Sequence, residues 1–261
     1  MENYRFTQQS NQFFGECLPC TAAVFKNWVN DAGVYHKIGT RQDVEAAIRE
    51  GRMIDTYSNT IEFQKFCQKQ EQRPNSRAAF AQLSIEEKLL QWVQSLKESL
   101  PCFIFAVREF EAMPKKDKDG HPVLDDGGQP VLFHRRKQEN ITQLSGLFMF
   151  DADHLPMNPR EVFERTQLKG FPWEVRLAHK TSSGFGLRLV SEAISEIGNI
   201  ADNQIELARE LGLLGIMGTT GKPVTDDSCI DASRISYCPR MDDIYFIDED
   251  KLFNYNYYDR K

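Results

Sequence analysis

Helical periodicity dominates the first hundred residues. Residues 40–50 (TRQDVEAAIRE) space their apolar positions for one face of a helix that Gly51 ends. Ser84 opens a second helix through a capping box with Glu87, and Pro101 closes it. A broad apolar stripe between these two signals indicates a face that packs against other elements. We therefore expect residues 1–100 to form a mainly helical subdomain.

Strand-like patterns follow after this point. The predicted strands lie at residues 102–107, 145–153, 174–182, 186–193, 234–239 and 244–248. Two helices interrupt them, one at 158–170 that Asn158 caps and one at 202–212. Residues 113–131 are rich in turn signals and predict an exposed hairpin or loop. The order predicts an α+β fold in which a mixed sheet over residues 101–261 carries the helical subdomain, with no internal repeat.

Composition limits the class of protein only loosely. The chain has 261 residues and a formal net charge of −6, and its apolar content is ordinary for a globular protein. No apolar run approaches the length of a membrane helix, and the first residues lack a secretory pattern, so a cytoplasmic location is expected by default. The negative charge argues against coating of nucleic acid through bulk charge, but a local basic groove could still bind phosphates.

The six cysteines include one close pair, Cys17 and Cys20. A single CxxC is half of a zinc site, and no second pair with suitable spacing follows it. We expect these thiols to be reduced and to serve as small, partly buried side chains in a turn that contains Pro19. Zinc binding is the less favoured alternative.

Two carboxylates, Asp151 and Asp153, close the apolar run SGLFMFDAD. Residues two apart on a strand point to the same face, so this pattern predicts that the carboxylates project side by side. Like charges at that distance repel, and a divalent cation such as Mg²⁺ would keep both ionised. The alternative is a strand that ends in Asp where it reaches solvent.

The stretch HKTSSGFGLRLV (179–190) is typical of a tight turn between two strands. Its backbone N–H groups and the hydroxyls of Ser182 and Ser183 could bind phosphate oxygens. Lys180 and Arg188 could add positive charge, and Arg188 suits a bidentate phosphate contact. The alternative is an ordinary β-turn whose glycines serve only the backbone conformation.

A third polar stretch, TDDSCIDASRISYCP (225–239), offers Asp226, Asp227 and Asp231 ahead of Arg234. A third acid would complete a site for two metal ions, and the arginine could bind a triphosphate or a template backbone. The alternative is a polar loop with a surface Asp–Arg pair that contributes little to stability.

The order of these features is more specific than any one of them. In the stretches LPCFIFAVREF, LSGLFMFDAD, SSGFGLRLV and DDSCIDASRISYCP the chain resembles the primase–polymerase branch of the archaeo-eukaryotic primase superfamily. Within that branch it is similar to the bacterial family often labelled VirE N-terminal-like, which occurs on mobile genetic elements. The earlier stretch LPCTAAVFKNW also fits, so the resemblance spans most of the chain.

The resemblance implies a split RRM-like catalytic core with a mainly helical N-terminal part, two bound Mg²⁺ or Mn²⁺ ions and no organic cofactor. It assigns Asp151, Asp153 and Asp226 to the metal ions, with Asp227 as the alternative third acid. Residues beside the nucleotide triphosphate and in the late motif would be Ser183, Gly184, Gly186, Asp231 and Arg234.

One departure from the family pattern concerns Arg188. Many members of the superfamily carry histidine at this position, where it contacts the incoming nucleotide. Arginine can bind the same phosphates, but it cannot act as a neutral donor or carry a proton near pH 7.

Three functional hypotheses follow. The leading one is a metal-dependent primase-type nucleotidyltransferase that makes or extends primers from NTPs or dNTPs on single-stranded DNA in replication of a mobile element. A replicative helicase is a candidate partner, and no membrane is involved. The alternative is a weak or inactive primase-like module that binds single-stranded nucleic acid or a replication partner, which the net charge and Arg188 favour. A sugar-nucleotide transferase is the third, and it leaves the SSGFG turn unexplained.

Overall fold

The computed structural model describes residues 3–13, 15–31, 33–38, 41–74, 77–225 and 231–254, which group into two compact units. One unit contains residues 1–31, 101–181 and 185–261, and the other contains residues 32–100 and 182–184. Every strand that the structure describes lies in the first unit, which we call the sheet unit. The second, helical unit begins only after residue 31, whereas the sequence pattern placed the whole of residues 1–100 in the helical part.

The elements follow the chain in this order. The helices are α1 (Ala22–Asn30), α2 (Val34–Ile38), α3 (Arg41–Arg49), α4 (Arg52–Tyr57), α5 (Ile61–Glu71), α6 (Arg77–Ala81), α7 (Ile85–Glu98), α8 (Pro159–Arg165), α9 (Ile200–Glu210) and α10 (Glu249–Phe253). The strands are β1 (Thr7–Gln9), β2 (Leu18–Pro19), β3 (Cys102–Ile104), β4 (Val107–Phe110), β5 (Ala112–Pro114), β6 (Leu132–His134), β7 (Ile141–Leu144), β8 (Leu147–Ala152), β9 (Val175–Lys180), β10 (Leu187–Glu192), β11 (Ser236–Tyr237) and β12 (Ile244–Ile247).

The main sheet has the strand order β12-β9-β10-β8. Helix α8 connects β8 to β9, and α9 lies between β10 and β12, so the chain runs strand, helix, strand, strand, helix, strand. The prediction of a mixed α+β fold is confirmed, but the prediction of a mixed sheet is wrong. Each strand pair in the described part of the chain is antiparallel, because the hairpin strand β10 returns between β8 and β9.

Both faces of β8 are buried. Phe148 and Phe150 lie on one face, in a core with residues of α8 and α9. Leu147 and Met149 lie on the other face, in a second core with residues of α1, α10 and β3. Strand β3 belongs to a second sheet with the order β11-β3-β1-β2. Burial on both faces explains why the strand reads as a continuous apolar run instead of an alternating pattern.

Several predicted elements are shorter than their sequence patterns suggested. The run 102–107 is two strands, β3 and β4, because the chain turns at Phe105 and Ala106. Helix α8 ends at Arg165, where Thr166 caps it, and not near Gly170. The strand expected at 234–239 is only the two residues of β11. The capping box of Ser84 with Glu87 and the cap at Asn158 are confirmed.

Residues 112–134 form an exposed arm that begins and ends with the paired strands β5 and β6, over the stretch 113–131 that the sequence predicts to be an exposed hairpin or loop. The arm contains two copies of an eight-residue repeat, DKDGHPVL (117–124) and DDGGQPVL (125–132), so the expectation of no internal repeat is wrong. In each copy the first aspartate accepts two backbone hydrogen bonds, at 2.9 Å each, from residues two and four positions later. Gly120 and Gly128 take the left-handed conformation that closes each turn.

The helical unit is organised around α7, which contacts α2, α3, α4 and α5. Trp92 on α7 packs edge-on against Phe63 of α5, with ring centroids 5.5 Å apart. Leu89 and Val93 of α7 are also buried, as the apolar stripe predicts. Within the described residues, no helix has the length and apolar character needed to cross a membrane.

Candidate functional site

Three polar side chains form a row across the main sheet near the end of β8. Asp151 is the register partner of Arg188 on β10, and Arg188 is the register partner of His179 on β9. Residues directly opposite each other on antiparallel strands place their side chains on the same face. Asp151 shares its face with Met149, two residues earlier, so the row ends the apolar face that packs against the second core.

Asp151 and Arg188 form a buried ion pair. Nη2 of Arg188 donates to Oδ2 of Asp151, and the two side chains are only 10% and 3% exposed, respectively. The sequence pattern assigned Asp151 to a metal ion and Arg188 to a nucleotide. Here the guanidinium supplies to Asp151 the positive charge that a metal ion was expected to supply. Such a pair is costly to break, because either charge left alone in the interior would be uncompensated.

His179 is a neutral, hydrogen-bonded core residue. Its Nδ1 lies 2.8 Å from the carbonyl oxygen of Lys180, which can only accept, so Nδ1 carries the proton. Nε2 is then free to accept from the hydroxyl of Ser236 at 3.4 Å. Burial, with a further contribution from the guanidinium of Arg188, lowers the pKa of His179 to about 4. The ring therefore stays uncharged at neutral pH.

Asp153 lies just beyond β8 and is half-buried. Its backbone N–H donates to the carbonyl oxygen of Val224 at 2.8 Å, which holds the strand end in place. Gly186, at the start of β10, comes so close that a Cβ there would lie 2.8 Å from Oδ1 of Asp153 and would clash with the carbonyl oxygen of Ala152. Glycine is thus required at 186 because its backbone closely approaches the carbonyl oxygen of Ala152.

The turn before β10 is closed by backbone and side-chain hydrogen bonds. The N–H of Thr181 donates to the carbonyl oxygen of Gly186 at 2.9 Å, and the N–H of Gly186 donates to the Thr181 hydroxyl at 3.1 Å. Gly184 has φ +86°, a backbone conformation that favours glycine, as expected for a tight turn. Ser182, Ser183 and Gly184 belong to the helical unit, in which the Tyr35 hydroxyl donates to the carbonyl oxygen of Ser182.

A second charged group involves Lys180, another predicted nucleotide ligand. Nζ of Lys180 lies 2.9 Å from Oδ1 of Asp243, and Nε of Arg240 donates to Oδ2 of the same carboxylate at 2.8 Å. Burial alone would raise the pKa of Asp243, but the hydrogen bonds from Arg240 and Lys180 outweigh it and hold that pKa below its usual value. The carboxylate therefore stays ionised and fixes both cations.

The late motif is only partly within the described residues. Asp226, the predicted third acid, and its alternative Asp227 lie outside them. Asp231 uses both carboxylate oxygens in its own turn, accepting from the N–H of Ser233 at 2.7 Å and from the Ser233 hydroxyl at 3.0 Å. Arg234 is exposed. Asp231 thus has a local structural role that its sequence context did not reveal.

Cys17 and Cys20 point into different apolar cores. Leu18 and Pro19 between them pair with β1 as an edge strand. Burial raises the pKa of Cys17 to about 12 and that of Cys20 well above its usual value, so both stay protonated. Zinc binds thiolates, and this environment favours the interpretation of both residues as core side chains.

Within the described residues, two carboxylates are candidate ligands for a divalent cation. No group of three His, Cys, Asp or Glu side chains within them is arranged to hold a metal ion. Asp151 and Asp153 at the end of β8 are the hard oxygen donors that Mg²⁺ and Mn²⁺ prefer, and one or two protein carboxylates commonly suffice when substrate phosphates add further oxygens. The donor set fits such an ion, with Asp151 shared with Arg188.

The sequence pattern gave no role to His179 or to Asp243. The pairing of His179 with Arg188 could have been predicted from the sequence. A hairpin centred on residues 183–184 pairs 180 with 187 and 179 with 188, as observed. Asp243 carries no such signal, since it reaches Lys180 from a separate 3-10 turn, Met241–Asp243.

Comparison with known proteins adds no assignment, because no family model, curated protein or solved structure matches this chain.

Proposed function

We propose that the protein is a metal-dependent nucleotidyltransferase of the primase–polymerase type. The observation that carries the proposal is the pair Asp151 and Asp153 at the end of a strand buried on both faces, with the backbone of Gly186 against the second carboxylate. A rigid strand that ends in two hard oxygen donors suits a reaction in which catalysis is mainly positioning and charge neutralisation.

The succession of strand, helix, strand, strand, helix, strand in the main sheet supports this proposal. Along the chain this is the succession of ferredoxin-like units, although β12 pairs here with β9 and not with β8. A split RRM-like core is what the resemblance to the primase superfamily implies. The order DxD, S-S-G-x-G and D-x-S-C-x-D-x-S-R along the chain carries that resemblance. The substrates would be NTPs or dNTPs and a single-stranded DNA template, and a replicative helicase stays a prediction.

The metal ions would be held by Asp151 and Asp153, with Asp226 as the third acid and Asp227 as its alternative. When bound, Mg²⁺ or Mn²⁺ would neutralise the charge that develops on the transferred phosphoryl group. Asp153 would contribute a carboxylate on a backbone that its N–H fixes to the carbonyl oxygen of Val224. The roles of Ser183 and Gly184 beside the triphosphate rest on the resemblance, and that of Ser182 rests on the sequence pattern of the turn.

Arg188 has a specific place in this proposal. Its guanidinium donates to Asp151 through Nη2, so it would bind a triphosphate either through its other N–H groups or by leaving that carboxylate. An arginine here can neutralise phosphate charge but cannot carry a proton near pH 7, so Arg188 would bind and orient the nucleotide without acid–base chemistry.

The test compares Asp153→Asn with the matched variant Asp126→Asn, whose aspartate lies in the exposed arm. Each protein is supplied with single-stranded DNA, NTPs or dNTPs, and Mg²⁺ or Mn²⁺. We expect wild type and Asp126→Asn to extend or make primers, and Asp153→Asn to lose at least about 100-fold, because even outer partners of metal ligands cost 10–100-fold. Absence of any metal-dependent product from wild type would refute the proposal.

A second candidate function is a non-catalytic module that binds single-stranded nucleic acid or a replication protein. The buried Asp151–Arg188 pair favours it, because this carboxylate already has a counter-ion without a metal. The two functions differ in Mn²⁺ binding, which electron paramagnetic resonance of free Mn²⁺ measures directly. If wild type binds Mn²⁺ and Asp153→Asn does not, the result supports the transferase. If wild type does not bind Mn²⁺, the result supports the non-catalytic module.

A further inference from the structure

A glycine-rich hairpin lies next to the end of β8, where the N–H of Asp153 donates to the carbonyl oxygen of Val224. It spans residues 216–224, and the N–H of Val224 donates to the carbonyl oxygen of Ile216 at 3.0 Å. Its tip is GTTGK (218–222), closed by a hydrogen bond of 2.7 Å from the N–H of Gly218 to the carbonyl oxygen of Lys222. The tip residues from Thr219 to Lys222 are exposed. The exposed tip thus carries two hydroxyls and an ammonium group, and its backbone is hydrogen-bonded to the residue that follows Asp153.

The hairpin tip fixes His154 in an unusual conformation. His154 has φ +51°, and it is the one described residue other than glycine in the left-handed region. The N–H of Thr219 donates to the carbonyl oxygen of His154 at 2.9 Å. A Cβ on Gly218 would lie 2.6 Å from the same oxygen, so only glycine allows this contact. Non-glycine residues held in this region concentrate at functional sites.

The His154 ring lies against the ring of Phe185, with centroids 5.6 Å apart and planes inclined by 34°. The N–H of Leu155 donates to the carbonyl oxygen of Phe185 at 2.9 Å, which fixes the two segments to each other. Both rings are half-buried, as is Asp153. Part of each of these residues is therefore accessible to solvent.

We infer that His154, Phe185 and the tip of the hairpin form a nucleobase-stacking site for single-stranded nucleic acid. Exposed aromatic rings bind bases of any sequence by stacking, and nearby cations bind the backbone phosphates. Lys222 supplies the cation, and the hydroxyls of Thr219 and Thr220 supply donors to phosphate or sugar oxygens. The ligand class rests on the proposed function, since the site adjoins Asp153.

The test measures binding of a fluorescein-labelled dT oligonucleotide in EDTA, so that no metal or turnover contributes. His154→Asn keeps a residue type that accepts the left-handed conformation but removes the ring, and Phe185→Leu removes the second ring. We expect each to raise Kd at least about fivefold, which is the lower end for loss of one base–aromatic stack. Lys118→Gln in the exposed arm is the matched charge control and should bind like wild type.

Two further measurements separate stacking from folding effects. An oligonucleotide of the same length with abasic sites should bind wild type at least about fivefold more weakly than dT, because it keeps the phosphates and lacks the bases. Lys222→Gln should reduce the slope of log K against log salt by about 0.7, the value for one phosphate contact on a single strand. Circular dichroism of each variant checks that it is folded.

The inference is overturned if wild type does not bind dT, if it binds the abasic strand equally well, or if folded His154→Asn and Phe185→Leu bind within twofold of wild type. Failure of the proposed function looks different. Ring-dependent binding of dT without nucleotide transfer would refute the transferase and leave the stacking site in place, and transfer with ring-independent binding would do the reverse.

Discussion

At the scale of single residues, the main result is that two predicted site residues satisfy each other. Asp151 was expected to need a metal ion because Asp153 lies close by, and Arg188 was expected to await a phosphate. Instead, the register of β8 with β10 places the guanidinium directly opposite the carboxylate. The charge of Asp151 is thus neutralised without a metal ion. The effect of substitutions on the free energy of unfolding tests whether this ion pair is structural.

Removing one member of this pair should be worse than removing both. Asp151→Ala leaves a buried guanidinium without its counter-ion, and we expect it to lower the free energy of unfolding by about 3–5 kcal/mol. The double variant Asp151→Leu/Arg188→Met replaces the pair with apolar side chains and should lose less than that. Urea denaturation measures both, and a double variant at least as unstable as Asp151→Ala would contradict a structural ion pair.

His179 should make stability depend on pH. The pKa of His179 is about 4 in the folded protein, against the usual value of 6.5 for the unfolded chain. As the pH falls, the unfolded chain therefore binds a proton at this residue before the folded protein does. Stability from this residue is fully present above pH 6.5 and is lost towards pH 4, by up to about 1.4 kcal/mol per pH unit. His179→Gln should flatten the pH dependence of the urea midpoint over this window.

His121→Gln is the matched control for that experiment, because His121 lies in the exposed arm with its side chain 79% exposed. This variant should keep the wild-type slope. Equal slopes for His179→Gln and wild type would show that His179 is not held neutral by burial.

At the scale of elements, local pattern predicted the types of the strands and helices from β8 to α9 but not where each one ends, and it missed the strands β1 and β2. Strands β8, β9 and β10 lie within their predicted ranges, since long apolar runs next to turn residues are strong signals. The break between β3 and β4 at Phe105 was not predictable, because both residues of the turn are apolar and buried. The eight-residue repeat of the arm was missed because only two short copies exist and several positions differ.

The repeat predicts that the arm can be shortened. Deleting residues 117–124 removes one copy and joins Lys116 to Asp125. The remaining turn keeps its own aspartate and glycine, and Lys115 already donates to the carbonyl oxygen of Val131 at 2.8 Å, so the shorter hairpin can close. We expect the melting temperature to change by no more than about 4 °C, because exposed residues contribute little to stability.

Thermal unfolding followed by circular dichroism measures this, with Asp125→Ala in the full-length arm as the comparison. Cooperative loss of the whole fold in the shortened chain would mean that the arm supports the core.

At the scale of the whole molecule, the sheet unit is tied together by charges that no local pattern indicated. Arg5 is fully buried and donates to both carboxylate oxygens of Glu192 at 2.7 and 2.6 Å. Arg176 donates to Glu192 at 3.0 Å and to Asp248 at 3.2 Å. The first segment of the chain and β9 thus meet on one carboxylate of β10, and this first segment belongs to the sheet unit instead of the helical one.

The sequence by itself indicated the strands and helices between residues 145 and 212, that residues 113–131 are exposed, and that two carboxylates stand at the end of a buried strand. These properties depend on side-chain periodicity, turn residues and caps within a few neighbours. Only the tertiary structure decided that Arg188 and His179 share a row with Asp151, that Lys180 binds Asp243, and that a hairpin fixes His154 beside Phe185. Strand register and crossover connections decide those partners. They bring together residues that are far apart in the chain, and the sequence around each residue does not indicate the contact.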